Sequence, residues 1–217
     1  MKMILNKIEI VGDIAHFKIP MHSKIQRTYK IPPISTVVGI LKNIYGEEID
    51  DFILGYIIEH KGTFKDVQTL YKEINPNVKT LTCGDRFVTD ICPVEYLIEP
   101  RLVIYTDIDR NIEFNEPLCL GKTNCLARIV SLDEISIQLI NYSGKGYNQY
   151  TDINTGEGMI KRINTLTKYN EKKGYYDIYS SMVRENDEFN YDKYYDEYEK
   201  QNIFLWKWKK GGVVECL

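Results

Sequence analysis

The chain has 217 residues, of which 43% are hydrophobic and 27% are charged, proportions that suit one well-packed domain or a domain with an appendage. Its formal net charge of −3 hides an uneven distribution: residues 185–200 hold seven acids and two lysines, and the remainder carries +2. The five cysteines form no CxxC pair, the N-terminus becomes charged too soon for a signal peptide, and no apolar run reaches membrane-spanning length. We therefore expect a cytosolic, reduced protein without zinc, cofactor or membrane contact.

The first predicted element is one long strand over about residues 3–19, with a bulge or bend at Gly12. Apolar and polar residues alternate on each side of this glycine, which is the period of a half-buried strand. The window 14–46 that overlaps the end of this strand contains no carboxylate but five cations, namely Lys18, Lys24, Arg27, Lys30 and Lys42. A positive window on a mildly acidic protein indicates a patch that attracts a polyanion.

A helix is predicted after the proline pair that closes the basic loop. Ser35 is the expected N-cap, apolar residues recur at helical spacing from Val37 onwards, and Gly46 supplies the stop. Gly39 lies inside this helix, where glycine costs roughly 1 kcal/mol relative to alanine. We interpret it as a point where the helix packs closely or another backbone approaches.

The remaining predicted elements are mostly strands. Two β-rich runs lie within 52–71, and a protruding hairpin or mobile loop follows at 75–93. Residues 96–105 and 126–140 read as further β structure, and 203–209 alternates as a final strand. This order, with one clear helix and an irregular insertion, favours an α+β fold over a doubly wound sheet.

The loop and helix start form the first candidate site. Free N–H groups and hydroxyls at a helix N-terminus can hold a phosphate, and the aromatic ring of Tyr29 can stack on an unpaired base. The candidate residues of this segment are Lys24, Arg27, Thr28, Tyr29, Lys30, Ser35 and Thr36. The alternative interpretation is an ordinary capped helix that follows a proline-rich loop.

The second candidate is the triplet Gly121, Lys122 and Thr123. A P-loop needs a glycine five residues before Gly121, but that position is Glu116, so we reject nucleotide binding of the Walker type. A tight glycine turn that carries a lysine remains. Such a lysine either is simply solvated or contacts a phosphate.

Catalytic groups are few. Only His16, His22 and His60 could serve as histidine bases, and His22 is the one that lies in the basic loop. The acidic run at 185–200 has irregular spacing, so we interpret it as a solvated or partner-facing segment rather than a metal site.

Two segments resemble the CRISPR-associated Cas-five proteins, which are RAMP-superfamily subunits of type I Cascade complexes. The first comprises the opening strand and the run 29–41 (YKIPPISTVVGIL), and the second is the run 118–127 (LCLGKTNCLA). The resemblance covers about residues 1–130, and later sections look most like the type I-B branch.

This resemblance implies a modified ferredoxin-like (RRM) core over residues 1–140, with a β-hairpin thumb at about 73–95 and a C-terminal extension over 141–217, mostly β or irregular. Such proteins grip the 5′ handle of CRISPR RNA, cap the Cascade backbone, contact the backbone and large subunits, and meet target DNA through the complex. Both candidate segments would line the handle, and the thumb's location adds Arg86.

One branch of the family also cuts precursor RNA with tyrosine, lysine and histidine, of which the last two lie late in the core. This chain has no histidine after His60, so we expect a non-catalytic subunit. The rival hypothesis is a metal-independent endoribonuclease with His22 or Tyr29 as base and Lys30 or Lys122 stabilising charge. A third is an assembly scaffold that touches little RNA.

Overall fold

The computed structural model describes residues 2–20, 24–46, 49–74, 87–109, 117–139, 144–155, 157–191 and 194–217. Within these ranges the chain forms one helix, α1 (Ile34–Tyr45), and fourteen strands. The strands are β1 (Lys2–Gly12), β2 (Ile14–Ala15), β3 (Phe52–Glu59), β4 (Gly62–Ile74), β5 (Phe87–Ile98), β6 (Arg101–Thr106), β7 (Ala127–Leu139), β8 (Gly144–Thr151), β9 (Met159–Asn170), β10 (Tyr175–Tyr191), β11 (Tyr194–Asp196), β12 (Gln201–Ile203), β13 (Trp206–Lys209) and β14 (Val213–Cys216). The described part of the protein is thus mostly β-sheet with one helix. This described helix is too short to cross a membrane.

The strands form three sheets. The largest has eight strands in the order β12-β11-β7-β1-β6-β3-β13-β14, and two three-stranded sheets have the orders β8-β10-β9 and β2-β5-β4. In the large sheet β1 pairs antiparallel with both β6 and β7. Ile8 of β1, Ile104 of β6 and Leu41 of α1 are fully buried in one hydrophobic core, so burial of apolar area holds the helix and the sheet together.

The strand predicted over 3–19 divides at Gly12 and Asp13. β1 stays in the large sheet, whereas β2 pairs with β5 in a small sheet. A Cβ at position 12 would lie 3.0 Å from the backbone oxygen of Leu126, so the glycine lets two backbones meet where the chain changes sheets. The bend was predicted correctly, but the single strand was not.

The predicted hairpin at 73–95 falls on a longer hairpin of β4 and β5. Their pairing runs from Gly62 opposite Ile98 to Ile74 opposite Phe87. Residues 75–86, and therefore Arg86, lie outside the described residues. The strand predicted over 96–105 is corrected to two strands, β5 and β6, which meet at a turn where Glu99 has φ 45°.

The helix confirms the predicted apolar face, because Val37, Leu41 and Ile44 are fully buried. Ser35 is not its N-cap: the helix begins at Ile34, Pro33 is the cap, and no described side chain caps it. The N–H groups of residues 36 and 37 both donate to the Pro33 oxygen, so the turn closes earlier than the sequence suggested.

Gly39 does not mark a close approach among the described residues. It is exposed, and no described atom lies within 4 Å of the position that a Cβ would take. The predicted stop at Gly46 is confirmed, with φ 94° and an N–H that donates to the Lys42 oxygen. A glycine is expected there because L side chains disfavour that backbone conformation.

The final strand predicted over 203–209 is also divided. β12 lies at one end of the large sheet, and β13 lies beside β3 near the other end. The connecting residues Phe204 and Leu205 cross β3 at Gly55, where a Cβ would be 2.5 Å from the Leu205 Cδ2 atom. The large sheet therefore draws strands from both sides of the predicted boundary at residue 140.

Candidate nucleic-acid interface

The basic loop is held as an ordered arm, which we define as residues 17–20 and 24–30. The Ile19 N–H donates to the Arg27 oxygen (2.9 Å), and the Tyr29 N–H donates to the Phe17 oxygen (2.8 Å). Gln26 bridges to β5, because its N–H donates to the Pro93 oxygen and its carbonyl accepts from the Glu95 N–H, both at 2.9 Å. The arm thus extends the edge of the small β2-β5-β4 sheet.

A groove of about 700 Å³ runs beside this arm and contains Arg27, Tyr29 and Lys30. Its walls bring four cations, Arg27, Lys30, Lys65 and Lys161, together with four carboxylates, Glu95, Glu157, Glu185 and Glu188. The acid-free window of the sequence is therefore not an acid-free surface. Three of these carboxylates, Glu157, Glu185 and Glu188, come from segments distant in the sequence. No local sequence pattern predicts that they lie beside the basic arm.

Two of the predicted site residues, Thr28 and Tyr29, are buried or half-buried by contacts within the protein. The buried Thr28 hydroxyl accepts from the Phe17 N–H (2.9 Å) and donates to the Tyr29 oxygen (3.1 Å). The Thr28 N–H donates to the Glu95 carboxylate (3.2 Å). Tyr29 is half-buried, and burial together with the charge of Glu185 raises its pKa. Thr28 is consequently a structural residue, and Tyr29 keeps its proton more firmly than a free tyrosine does.

Two tyrosine hydroxyls hold the backbone that leads into α1. The Tyr56 hydroxyl donates to the Pro32 oxygen (2.8 Å), and the Tyr150 hydroxyl donates to the Ile31 oxygen (2.9 Å). Ser35 and Thr36 are half-buried in the first turn. Because the Thr36 N–H already donates within the turn, it is not one of the free groups predicted for phosphate.

The glycine turn at 121–123 is tight, as the sequence predicted. Gly121 has φ 95°, and a Cβ there would lie only 1.9 Å from the His16 oxygen. The His16 N–H donates to the Leu120 oxygen (3.0 Å), and the Cys125 N–H donates to the Lys122 oxygen (2.9 Å). Only glycine fits this contact, so the turn is fixed against the chain that follows β2.

Lys122 is the cation that this turn presents. Its Nζ donates to the Gln68 Oε1 (3.0 Å) and lies 5.9 Å from the centre of the Tyr96 ring. Burial lowers the pKa of Lys122, and the charge of Lys18 lowers it further. Within the described ranges no carboxylate pairs with Lys122. Lys18, Gln68 and Tyr96 were not predicted as site residues, although Lys18 lies in the acid-free window.

The predicted site residues lie on two faces of the small sheet. Lys65 and Glu95 are cross-strand partners on the face that borders the groove. Gln68 and Tyr96 lie an odd number of residues away on the same strands, so they face the other side. Arg27 and Lys30 therefore border one face and Lys122 the other. Lys24 is exposed, and Thr123 is exposed beside Lys122.

The histidines offer little accessible chemistry among the described residues. His16 is 1% exposed, its Nδ1 lies 2.7 Å from the Glu95 oxygen, and burial lowers its pKa. Burial also lowers the pKa of His60. His22 lies outside the described residues. In the described part of the chain no three His, Cys, Asp or Glu side chains are grouped as a metal site would require.

Part of the acidic run is internal, which corrects its interpretation as solvated or partner-facing. Asp196 and Glu199 accept from Lys7 at 2.9 and 2.7 Å, and Glu199 also pairs with Arg101 at 2.8 Å. The Tyr105 hydroxyl donates to Asp196 (2.7 Å). The hydrogen bonds from Arg101, aided by Lys7, lower the pKa of Glu199 to about 2.

Chains with a similar fold occur in CRISPR complexes. The chain is similar to a chain of a CRISPR RNA-guided surveillance complex, with a TM-score of 0.52, 8% identity and coverage of 88% of this chain and 90% of the other. It is also similar to a chain of the Type III-B Cmr-beta bound to cognate target RNA and AMPPnP, with a TM-score of 0.56, 11% identity and 86% coverage of each. Among curated proteins none matches significantly.

Part of the sequence matches a family model. Residues 7–110, just under half of the chain, match the model of the family described as CRISPR-associated protein (Cas_Cas5). The resemblance to this family that the sequence indicated is thereby confirmed. The matched segment contains the second half of β1, the basic arm and α1, which carried the first part of the resemblance, whereas the run 118–127 lies outside it.

Proposed function

We propose that this protein is a non-catalytic RNA-binding subunit of a type I Cascade complex. In this proposal it binds the 5′ handle of CRISPR RNA, caps one end of the backbone, and contacts the backbone and large subunits. Target DNA reaches it through the assembled complex. The observation that carries RNA binding is the Lys122 ammonium, which Gln68 and the Tyr96 ring hold in place without a paired carboxylate among the described residues; the charge of the exposed Lys18 also acts on it.

The physical reason is electrostatic. A lysine is less stable in its charged form when it is partly removed from water and lies near another cation. A phosphate between Lys18 and Lys122 would remove that penalty, since it would be attracted to both charges. The neutral Gln68 and the Tyr96 ring hold the ammonium in position without neutralising it. Arg27 and Lys30, which share their groove with carboxylates, would make weaker contacts.

The proposal includes a modified ferredoxin-like core with a β-hairpin thumb. The four strands β7-β1-β6-β3 are neighbours in that order, which is the order of the sheet in a ferredoxin-like (RRM) core. The long β4–β5 hairpin follows β3 directly, as a thumb inserted after the second core strand would. These two features support the modified core and the thumb. Residues of the hairpin would then be available to grip RNA or a neighbouring subunit.

A metal-independent endoribonuclease is the second hypothesis. It needs a base that reaches the RNA 2′-hydroxyl, and Tyr29 is unsuited at neutral pH because its pKa is raised. His16 is buried and cannot reach a bound strand. We therefore favour binding without cleavage. Purified protein incubated with repeat RNA in EDTA separates the two hypotheses, because specific cleavage supports the enzyme and protection supports the binder.

The test of the binding site compares Lys122→Gln and Lys18→Gln with Lys207→Gln, which removes an exposed lysine from β13. RNA that carries a CRISPR repeat is titrated by fluorescence anisotropy over a range of salt concentrations. Each of the first two variants should bind more weakly and lower the salt slope by about 0.7 per lost phosphate contact. The control should match the wild type. If Lys122→Gln left the RNA affinity and its salt slope unchanged, the glycine turn would not be part of the RNA-binding site.

A further inference from the structure

The hairpin of β9 and β10 exposes an aromatic and basic surface. Tyr169, Tyr175, Tyr176 and Tyr179 are between 45% and 61% exposed, and Tyr169 packs edge-on against Tyr176 at 5.2 Å. Residues 161–179 contain five cations and two acids. The acidic run begins at residue 185, inside β10, so the basic part of the hairpin is the end that contains the turn between β9 and β10.

A groove of about 790 Å³ borders this hairpin, where the strand register places Lys168 and Tyr179 on the face opposite to Tyr169 and Tyr176. Its other walls are the last turn of α1 and the turn between β13 and β14. Its polar and aromatic lining includes Lys42, Lys168, Lys210, Tyr169 and Tyr179. One carboxylate, Asp50, also lines it and pairs with Lys210. Among the described residues of this lining, three are lysines and one is an acid.

The walls of this groove are fixed to one another. The Thr165 hydroxyl donates to the Gly212 oxygen (2.6 Å), and the Trp208 indole N–H donates to the Thr165 oxygen (3.3 Å). Trp208 also stacks on Phe52 with ring centres 5.0 Å apart. A Cβ at Gly212 would lie 2.6 Å from the Leu166 Cβ, so the turn between β13 and β14 lies directly against strand β9. The groove is therefore preformed, which lowers the cost of binding.

We propose that this groove binds a single-stranded polynucleotide at a site separate from the basic arm and the glycine turn. Lysines neutralise a phosphate backbone, and exposed tyrosine rings offer faces on which unpaired bases stack. Protein interfaces are instead depleted of lysine, which makes a protein occupant a poorer fit to Lys42, Lys168 and Lys210. The groove lies at the C-terminal end of α1, about 18 Å along the helix from the end that follows the basic arm.

The test uses the full chain carrying Lys122→Gln, so that the glycine turn contributes little. Fluorescein-labelled U12 RNA and T12 DNA are titrated by anisotropy. Replacing Tyr169 and Tyr179 together by serine should weaken binding at least tenfold, and Lys168→Gln should weaken it about threefold with a smaller salt slope. The controls are Tyr198→Ser, which alters the most exposed tyrosine outside the hairpin, and Lys207→Gln, which alters the opposite face of β13.

Crosslinking of the wild-type chain gives a second readout that does not depend on folding of a variant. A 4-thiouridine RNA should crosslink to Tyr169 or Tyr179 under ultraviolet light. Tighter binding of RNA than of DNA would identify an RNA strand as the ligand, and the reverse would identify a DNA strand. Wild-type affinity in the double serine variant, with crosslinks confined to other residues, would overturn the proposal and leave the hairpin as a protein-binding surface. Handle binding through Lys122 could still hold in that case.

Discussion

Replacing Glu199 by glutamine should destabilise the protein above about pH 4.5 and have little effect near pH 2. Glu199 lies in an ion-pair network with Lys7 and Arg101, and its side chain is 10% exposed. The hydrogen bonds from Arg101 lower its pKa from 4.5 to about 2. Because the folded-state pKa is lowered, the stabilisation is complete above the unfolded value and is lost as the pH falls through the folded value.

The magnitude follows from the pKa difference. A difference of roughly 2.5 units corresponds to about 3.4 kcal/mol at neutral pH, at 1.36 kcal/mol per unit. Arg101 is 28% exposed, so water and salt screen part of this interaction. We expect a loss of about 2 kcal/mol in the free energy of unfolding at pH 7. That difference should shrink steadily between about pH 4.5 and 2.

The assay is urea denaturation at pH 7, 5, 4 and 3, monitored by tryptophan fluorescence, for the wild type, Glu199→Gln and Glu197→Gln. Glu197 is exposed in the same turn, so its variant controls for the chemical change alone. Only Glu199→Gln should flatten the dependence of the unfolding free energy on pH. Parallel pH profiles for Glu199→Gln and the wild type would refute the assigned ion pairs.

Two glycines give opposite predictions. Gly121→Ala should destabilise the protein by about 3 kcal/mol and weaken RNA binding, because φ is 95° and the added Cβ would meet the His16 oxygen. A thermal melt and an RNA titration measure the two effects. Wild-type values in both measurements would contradict the prediction. Gly39→Ala should stabilise the isolated chain by about 1 kcal/mol, measured by urea denaturation, since the position is exposed and the helix gains propensity. A loss of stability there would mean that the first turns of α1 differ from this structure.

The elements that the sequence predicted well are those whose signal is local. The apolar face of α1 follows from helical spacing, and Val37, Leu41 and Ile44 are fully buried. The tight turn at Gly121 follows from its glycine. In contrast, residues 203–209 alternate as one strand but divide between β12, at one edge of the large sheet, and β13, next to the strand at the other edge. Alternation of apolar and polar residues shows which face of a strand is buried. The neighbouring strand with which it pairs depends on contacts between residues distant in the sequence.

The candidate site shows the same limit. The helix start and the glycine turn were found because their residue types are locally suited to phosphate. Their position on two faces of a small sheet depends on the pairing of β4 with β5, which no local pattern specifies. The same holds for Gln68, which reaches Lys122 across 54 residues of sequence. Side chains that complete a site from a distance cannot be recognised by spacing alone.

The distribution of charge decides where a polyanion can bind, and the fold sets that distribution by bringing distant acids to particular cations. Asp196 and Glu199 neutralise Lys7 and Arg101 inside the protein, and the acids around Glu185 border the groove that contains Lys30. Lys18 and Lys122 receive no such partner within the described ranges, although the chain as a whole is acidic. Their charges therefore remain available at the turn that Gly121 fixes. If binding depended only on the number of cations in the sequence window, Lys30→Gln and Lys122→Gln would weaken RNA binding equally. The structure predicts a larger loss for Lys122→Gln, because neighbouring carboxylates already offset part of the Lys30 charge.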